Sequence, residues 1–123
     1  VLICKGDSIL LARTCYSRSP FMGLVAGFLE TGESLEACVH REVFEETGLQ
    51  IRNLRYFGNQ PWPYPSSLMV GFIADYAAGE IRLQKEELSE AAFFDRNRLP
   101  PLPPPLSLAR RMIDWWLDCP SSR

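Results

Sequence analysis

The sequence predicts a single α/β domain, and three observations predict it. Leu68–Tyr76 is a near-continuous apolar run of strand length, the pattern of a strand inside a sheet. Ser34–Thr47 has helical character, with Gly48 placed to cap its C-terminus. A second helix, Ser107–Leu117, closes the chain, with Leu106, Ala109, Ile113, Trp116 and Leu117 at helical spacing. At 123 residues, 46% hydrophobic and 23% charged, the chain has the size and composition of one domain with a real core.

The other elements are taken in chain order. Val1–Ile3 and Ser8–Arg13 flank the turn Cys4-Lys5-Gly6-Asp7 and read as a β-hairpin. Because Val1 already lies in strand-like sequence, the chain reads as a domain cut from a longer protein. Thr14–Pro20 is polar and turn-rich, a loop. Gly23–Phe28 reads as a short buried strand. Ile51–Gly58 is strand-like, with Ile51, Leu54, Tyr56 and Phe57 in imperfect alternation. Glu80–Leu83 is a short strand candidate before the acidic segment Lys85-Glu86-Glu87, and Ala91–Asp95 is another. Two proline clusters interrupt this pattern. The run from Pro100 to Pro105 reads as a rigid connector. In Pro61-Trp62-Pro63-Tyr64-Pro65, stiff backbone and aromatic faces sit beside Gln60, Ser66 and Ser67. That combination suits a pocket for a flat ring, and equally aromatics that pack a core.

Composition excludes several functions. A net charge of -2 gives no polybasic surface for nucleic acid or membrane. No apolar run approaches a membrane span, and no signal peptide is visible. Cys4, Cys15, Cys38 and Cys119 are scattered without a CxxC pair, which argues against structural zinc and fits a reducing cytoplasm.

The chemistry concentrates on the first helix. Leu35, Cys38 and Val39 form an apolar stripe, which gives way to Glu42, Glu45 and Glu46 at i, i+3 and i+4. Carboxylates crowded on a face that ought to be buried repel one another and oppose the helix dipole. A cation among them resolves this, and oxygen ligands suit Mg²⁺ or Mn²⁺. Arg41 lies four residues before Glu45 and pairs with it, leaving Glu42 and Glu46 for the metal. A metal cluster beside a loop is apparatus for phosphoryl chemistry. The bland alternative is a solvated acidic helix end. His40, the lone histidine, points away from the glutamates and reads as a surface residue. Cys38 reads as helix core, and Trp115 and Trp116 as packing of the last helix.

The full spacing weighs against the bland alternative. It is G-x5-E-x7-R-E-U-x-E-E-x-G-U, with U aliphatic, carried by Gly27, Glu33, Arg41, Glu42, Val43, Glu45, Glu46, Gly48 and Leu49. This resembles the box that marks Nudix hydrolases. The resemblance implies an α/β/α sandwich with a mixed sheet, and hydrolysis of a nucleoside diphosphate linked to another group.

A second stretch is similar to the NADH pyrophosphatase subfamily, which carries SQPWPFPxS. Here it runs from Asn59 to Ser67, with Asn59 and Tyr64 as the two differences. Glu87-Leu88-x-x-Ala91 and the proline run into Ala109-Arg110-Arg111 also look like that subfamily. The resemblance implies metal binding by Glu42, Glu46 and Glu87 with the Ala26 carbonyl, and Glu45 as a further or outer ligand. Glu87 is chosen over Glu86 because it heads the E-L-x-x-A pattern; the residues alone leave both solvated. Phe28 would stack on a base. Gln60, Pro61, Trp62, Pro63, Tyr64, Pro65, Ser66 and Ser67 would line the dinucleotide site, and Ala109 would contact substrate through its backbone. The general base stays open among Glu45, Glu46 and Glu87, with Arg41 in support.

The implied reaction is hydrolysis of NADH or NAD⁺ to nicotinamide mononucleotide and AMP, with NAD-capped RNA as a further substrate and a homodimer as the assembly. The lack of a basic stripe weighs mildly against tight RNA binding. The subfamily's N-terminal domain and four-cysteine zinc ribbon have no counterpart in residues 1–123. The loop Ser19–Leu24 also departs from the usual Gly-Met-Tyr-Ser run. The rivals are a general Nudix hydrolase of ADP-ribose or related compounds, and a non-catalytic nucleotide-sensing module. A sensor is expected to lose box glutamates, and this chain keeps them.

Overall fold

The architecture follows from the two-residue period of its strands. A computed structural model describes residues 1–16, 18–62 and 67–119, with Trp62 by its backbone alone. Strand β1 (Leu2–Lys5) turns through Gly6-Asp7 into β2 (Ser8–Thr14), with Lys5 opposite Ser8. Leu2, Ile9 and Leu11 point to one side, whereas Ile3, Leu10 and Ala12 point to the other. Both sides are buried, so each needs a cover. Helix α1 (Leu35–Thr47) covers the Ile3 side through Val43. Helix α2 (Leu108–Asp118) covers the Leu2 side through Leu108, Met112, Ile113 and Trp116. The result is the α/β/α sandwich.

Strands β3 (Gln50–Trp62), β4 (Ser67–Ala78) and β5 (Leu88–Asp95) complete a mixed sheet in the order β3-β4-β1-β2-β5. The β1–β4 pairing is parallel; the other pairings are antiparallel. The apolar run of β4 is interior, as expected, although β1 holds the centre.

Several expectations change. Gly23–Phe28 is not a strand: Gly23 makes one bridge to Ala12, and Ala26 to Phe28 are exposed. Glu80–Leu83 is not a strand either. Its backbone answers the end of α1 instead, with Arg82 N–H donating to Thr47 O (2.7 Å) and Gln84 N–H to Glu46 O (3.0 Å). Those carbonyls have no partner inside the helix. The imperfect alternation of β3 reflects register shifts between Arg52 and Arg55 and between Tyr56 and Gly58. Leu106 does not belong to α2; it is 84% exposed with φ 79°, and the buried face begins at Leu108.

Candidate active site

Helix α1 is fixed at both ends. The Ser34 hydroxyl accepts from Ala37 N–H (3.1 Å), and Gly48, in the left-handed region at φ 77°, donates its N–H to Phe44 O (2.9 Å). This phasing turns Cys38, Val43, Glu46 and Thr47 inward and leaves His40 exposed. Glu46 is thereby a carboxylate at 6% exposure on a core-facing stripe. Burial first, then hydrogen bonding with Glu42 and the charges of Glu42, Glu87 and Glu45, lift its carboxyl well above the ordinary carboxylate range.

Arg41 does more than pair with Glu45. Its Nε and Nη2 grip the two oxygens of Glu33 at 2.6 and 2.9 Å. Nη1 donates to Glu42 (2.9 Å) and Glu45 (3.1 Å), and Nη2 also reaches Phe28 O (3.1 Å). Glu42 is therefore tied to Arg41 as well, contrary to the expectation that only Glu45 would be. The two-oxygen grip by Arg41, followed by a Glu30 N–H hydrogen bond, holds the Glu33 carboxyl down at about 2. Opposite, the Glu42 side chain lies against Gly27, where an added Cβ would overlap its carboxyl group. The box glycine is thus a space requirement.

Glu87 ends the turn before β5. Cys15 N–H donates to Glu87 O (2.9 Å), and the Cys15 thiol to Glu86 O (2.8 Å). Glu87 is among the charges that act on Glu46.

A cavity of about 360 Å³ opens beside these groups. Of the candidate substrate- and metal-binding residues, Ala26, Phe28, Glu42, Ser67 and Ala109 line it. Gln60 does not: its carboxamide is engaged at the start of α2, donating to Leu106 O (2.8 Å) and accepting from Leu108 N–H (2.9 Å). Pro61 stands opposite Leu68 at the end of the β3–β4 ladder, and the Trp62 backbone opposite Ser67. Pro63, Tyr64, Pro65 and Ser66 lie outside the described residues. Sequence reading missed the walls formed by Leu24, Met69 and Met112. They come from three separate parts of the chain and carry no local signal.

The donor chemistry fits a hard divalent cation: Glu42 and Glu46 stand one turn apart on α1, Glu87 is among the charges bearing on Glu46, and the exposed Ala26 lines the same cavity as Glu42. Among the described residues, no three such side chains already close on one point. Arg41 draws Glu42 to one side, so a complete ligand shell requires side-chain rotation.

A mixed sheet between two helices, with a cleft along α1 that Glu42 lines, has the layout of a Nudix-type scaffold. The chain superposes with a TM-score of 0.73 on a MutT NUDIX hydrolase from Burkholderia pseudomallei, at 22% identity over 90% of this chain and 88% of that one. A NUDIX hydrolase from Nitrosomonas europaea gives 0.69 at 23% identity, over 92% and 82%. The chain belongs to the Nudix family: the NUDIX domain model matches residues 1–116. It is 50% identical over 119 residues to the NAD-capped RNA hydrolase NudC of Pasteurella multocida, covering 96% of this chain and 45% of that protein. The protein of the same name from Haemophilus influenzae is 51% identical over 122 residues, covering 96% and 46%. The chain therefore spans less than half the length of these relatives.

Proposed function

We propose that this chain is a divalent-cation-dependent pyrophosphohydrolase that cuts the P–O–P link of NADH or NAD⁺, releasing nicotinamide mononucleotide and AMP. The observation that carries this reading is Glu42 in the wall of a cavity also lined by Phe28, Ser67 and Ala109, with the buried Glu46 one turn further along α1. The names of the relatives support the dinucleotide, free or as the 5′ cap of an RNA, which presents the same link. Glu42, Glu46, Glu87 and the Ala26 carbonyl would hold Mg²⁺ or Mn²⁺, with Glu45 at the outer edge. When bound, such a cation neutralises phosphate oxygens and acidifies water. The chain's own residues do the rest. Arg41 keeps Glu33, Glu42 and Glu45 in place. One of Glu45, Glu46 or Glu87 takes the proton of the water that attacks phosphorus. The bridging oxygen leaves with the other phosphate. Phe28, 82% exposed at the cavity, stacks on a base. A cytoplasmic homodimer completes the reading; the exposed apolar Leu29 and Leu68 support a second copy. No helix among the described residues is long and apolar enough to cross a membrane.

The test is a hydrolysis panel with Mg²⁺ or Mn²⁺ over NADH, NAD⁺, NAD-capped RNA, ADP-ribose and a dinucleoside polyphosphate, with products identified. The expected result is fastest turnover of the nicotinamide dinucleotide, yielding nicotinamide mononucleotide and AMP. Faster ADP-ribose cleavage redirects the reading to a general Nudix hydrolase, and binding without turnover to a sensor.

A further inference from the structure

We propose that Gln60 is a positioning residue, whose carboxamide clamps the strained Leu106 and so sets the α2 wall of the cavity. Leu106 sits at φ 79°, in the left-handed region, where a Cβ is disfavoured. Its side chain is 84% exposed, so no packing of that side chain holds the conformation. Gln60, reaching from β3, instead holds the backbone that leaves it. Nε2–H donates to Leu106 O (2.8 Å), and Oε1 accepts from Leu108 N–H (2.9 Å). Both ends of one amide are used across Ser107, directly on the C-terminal side of the strained residue. The acceptor also satisfies an N–H in the first turn of α2, which has no partner inside the helix.

The clamp bears on the cavity through helix α2, which starts two residues after Leu106. Leu108, Ala109 and Met112 of α2 form one wall, and Ser67 to Phe72 of β4 form another. Gln60 is paired with Met69 in the β3–β4 ladder. It therefore ties the α2 wall to the strand that builds the β4 wall. Arg110 Nη1 also bonds the segment that leads into α2, donating to Pro103 O (3.0 Å). This reading rests on the proposed function for its substrate, and it assigns Gln60 to the wall rather than to substrate contact.

The decisive experiment uses the strain itself. Glycine occupies positive φ without the penalty that leucine carries. Gln60→Ala is expected to raise KM for NADH about tenfold with kcat changed little, the size expected when hydrogen bonds holding a binding wall are lost. Adding Leu106→Gly to Gln60→Ala should restore much of that KM, because the junction then needs no clamp. A KM defect that the second substitution leaves untouched means Gln60 touches substrate directly, and overturns the proposal. Gln60→Glu keeps the acceptor for Leu108 but sets a carboxylate oxygen against the Leu106 carbonyl, and should match Gln60→Ala in KM. Amide hydrogen exchange gives a readout independent of substrate: Gln60→Ala should remove protection at Leu108, and unchanged protection also overturns the clamp. If the unsubstituted chain does not hydrolyse NADH, the functional reading fails while the exchange measurement still decides the clamp.

Discussion

Arg41 is the residue on which the site's electrostatics converge. One guanidinium serves Glu33, Glu42, Glu45 and the Phe28 carbonyl. Sequence reading found its i,i+4 partner, Glu45, because that spacing is a property of any helix. It gave Glu33 no partner, because Glu33 precedes the helix and only the path of the chain from Gly27 to Ser34 brings it back. The consequence is a signed pH effect. The Glu33 carboxyl stands at about 2 in the folded chain against a reference of 4.5. A depressed folded value favours the native state above pH 4.5, and that contribution fades as pH falls from 4.5 toward 2. Thermal melts of the chain and of Glu33→Gln should therefore differ most near neutral pH and converge below pH 4. A gap that stays constant down to pH 3 contradicts this account.

At the scale of elements, legibility followed the range of the forces involved. Both helices were visible because their caps and apolar faces are local: Ser34 and Gly48 bracket α1 within the sequence that names it, and Ser107 caps α2. The hairpin of β1 and β2 was visible for the same reason. Residues 80–83 were misread because their β-like residues pair with nothing in the sheet. Ile81 and Leu83 pack against the core while neighbouring amides bond the end of α1, a tertiary role that no local pattern encodes. Leu106 keeps the helical spacing just outside the expected Ser107–Leu117 helix, while its backbone leaves the helical region. The end of α1 offers a direct check. Gly48 has φ 77°, and a Cβ there would stand 3.1 Å from the Glu80 carbonyl. Gly48→Ala should therefore lower stability by about 1–2 kcal/mol, from the left-handed conformation and the close carbonyl together. Urea denaturation should show a lower midpoint with an unchanged m-value. A midpoint within error of the unsubstituted chain contradicts the cap geometry.

Across the whole molecule, the candidate metal site gathers groups from distant parts of the chain. Glu42 rests against Gly27 of the incoming loop, Glu46 lies on the core side of α1, and Glu87 ends the turn before β5. The fold holds Glu46 among them although burial and the neighbouring carboxylates disfavour its charge. Such an arrangement weakens the native state until a cation offsets it. Two opposite stability changes are expected. After chelator treatment, Glu46→Gln should be at least as stable as the unsubstituted chain, because it removes a buried, crowded carboxylate. Adding Mg²⁺ should stabilise the unsubstituted chain by about 2.7 kcal/mol at a hundredfold excess over the dissociation constant, and Glu46→Gln by much less. Calorimetric melts with and without Mg²⁺ measure both changes without relying on turnover. Equal Mg²⁺ stabilisation of the two proteins would place the cation elsewhere and remove the link between the α1 glutamates and the cleft.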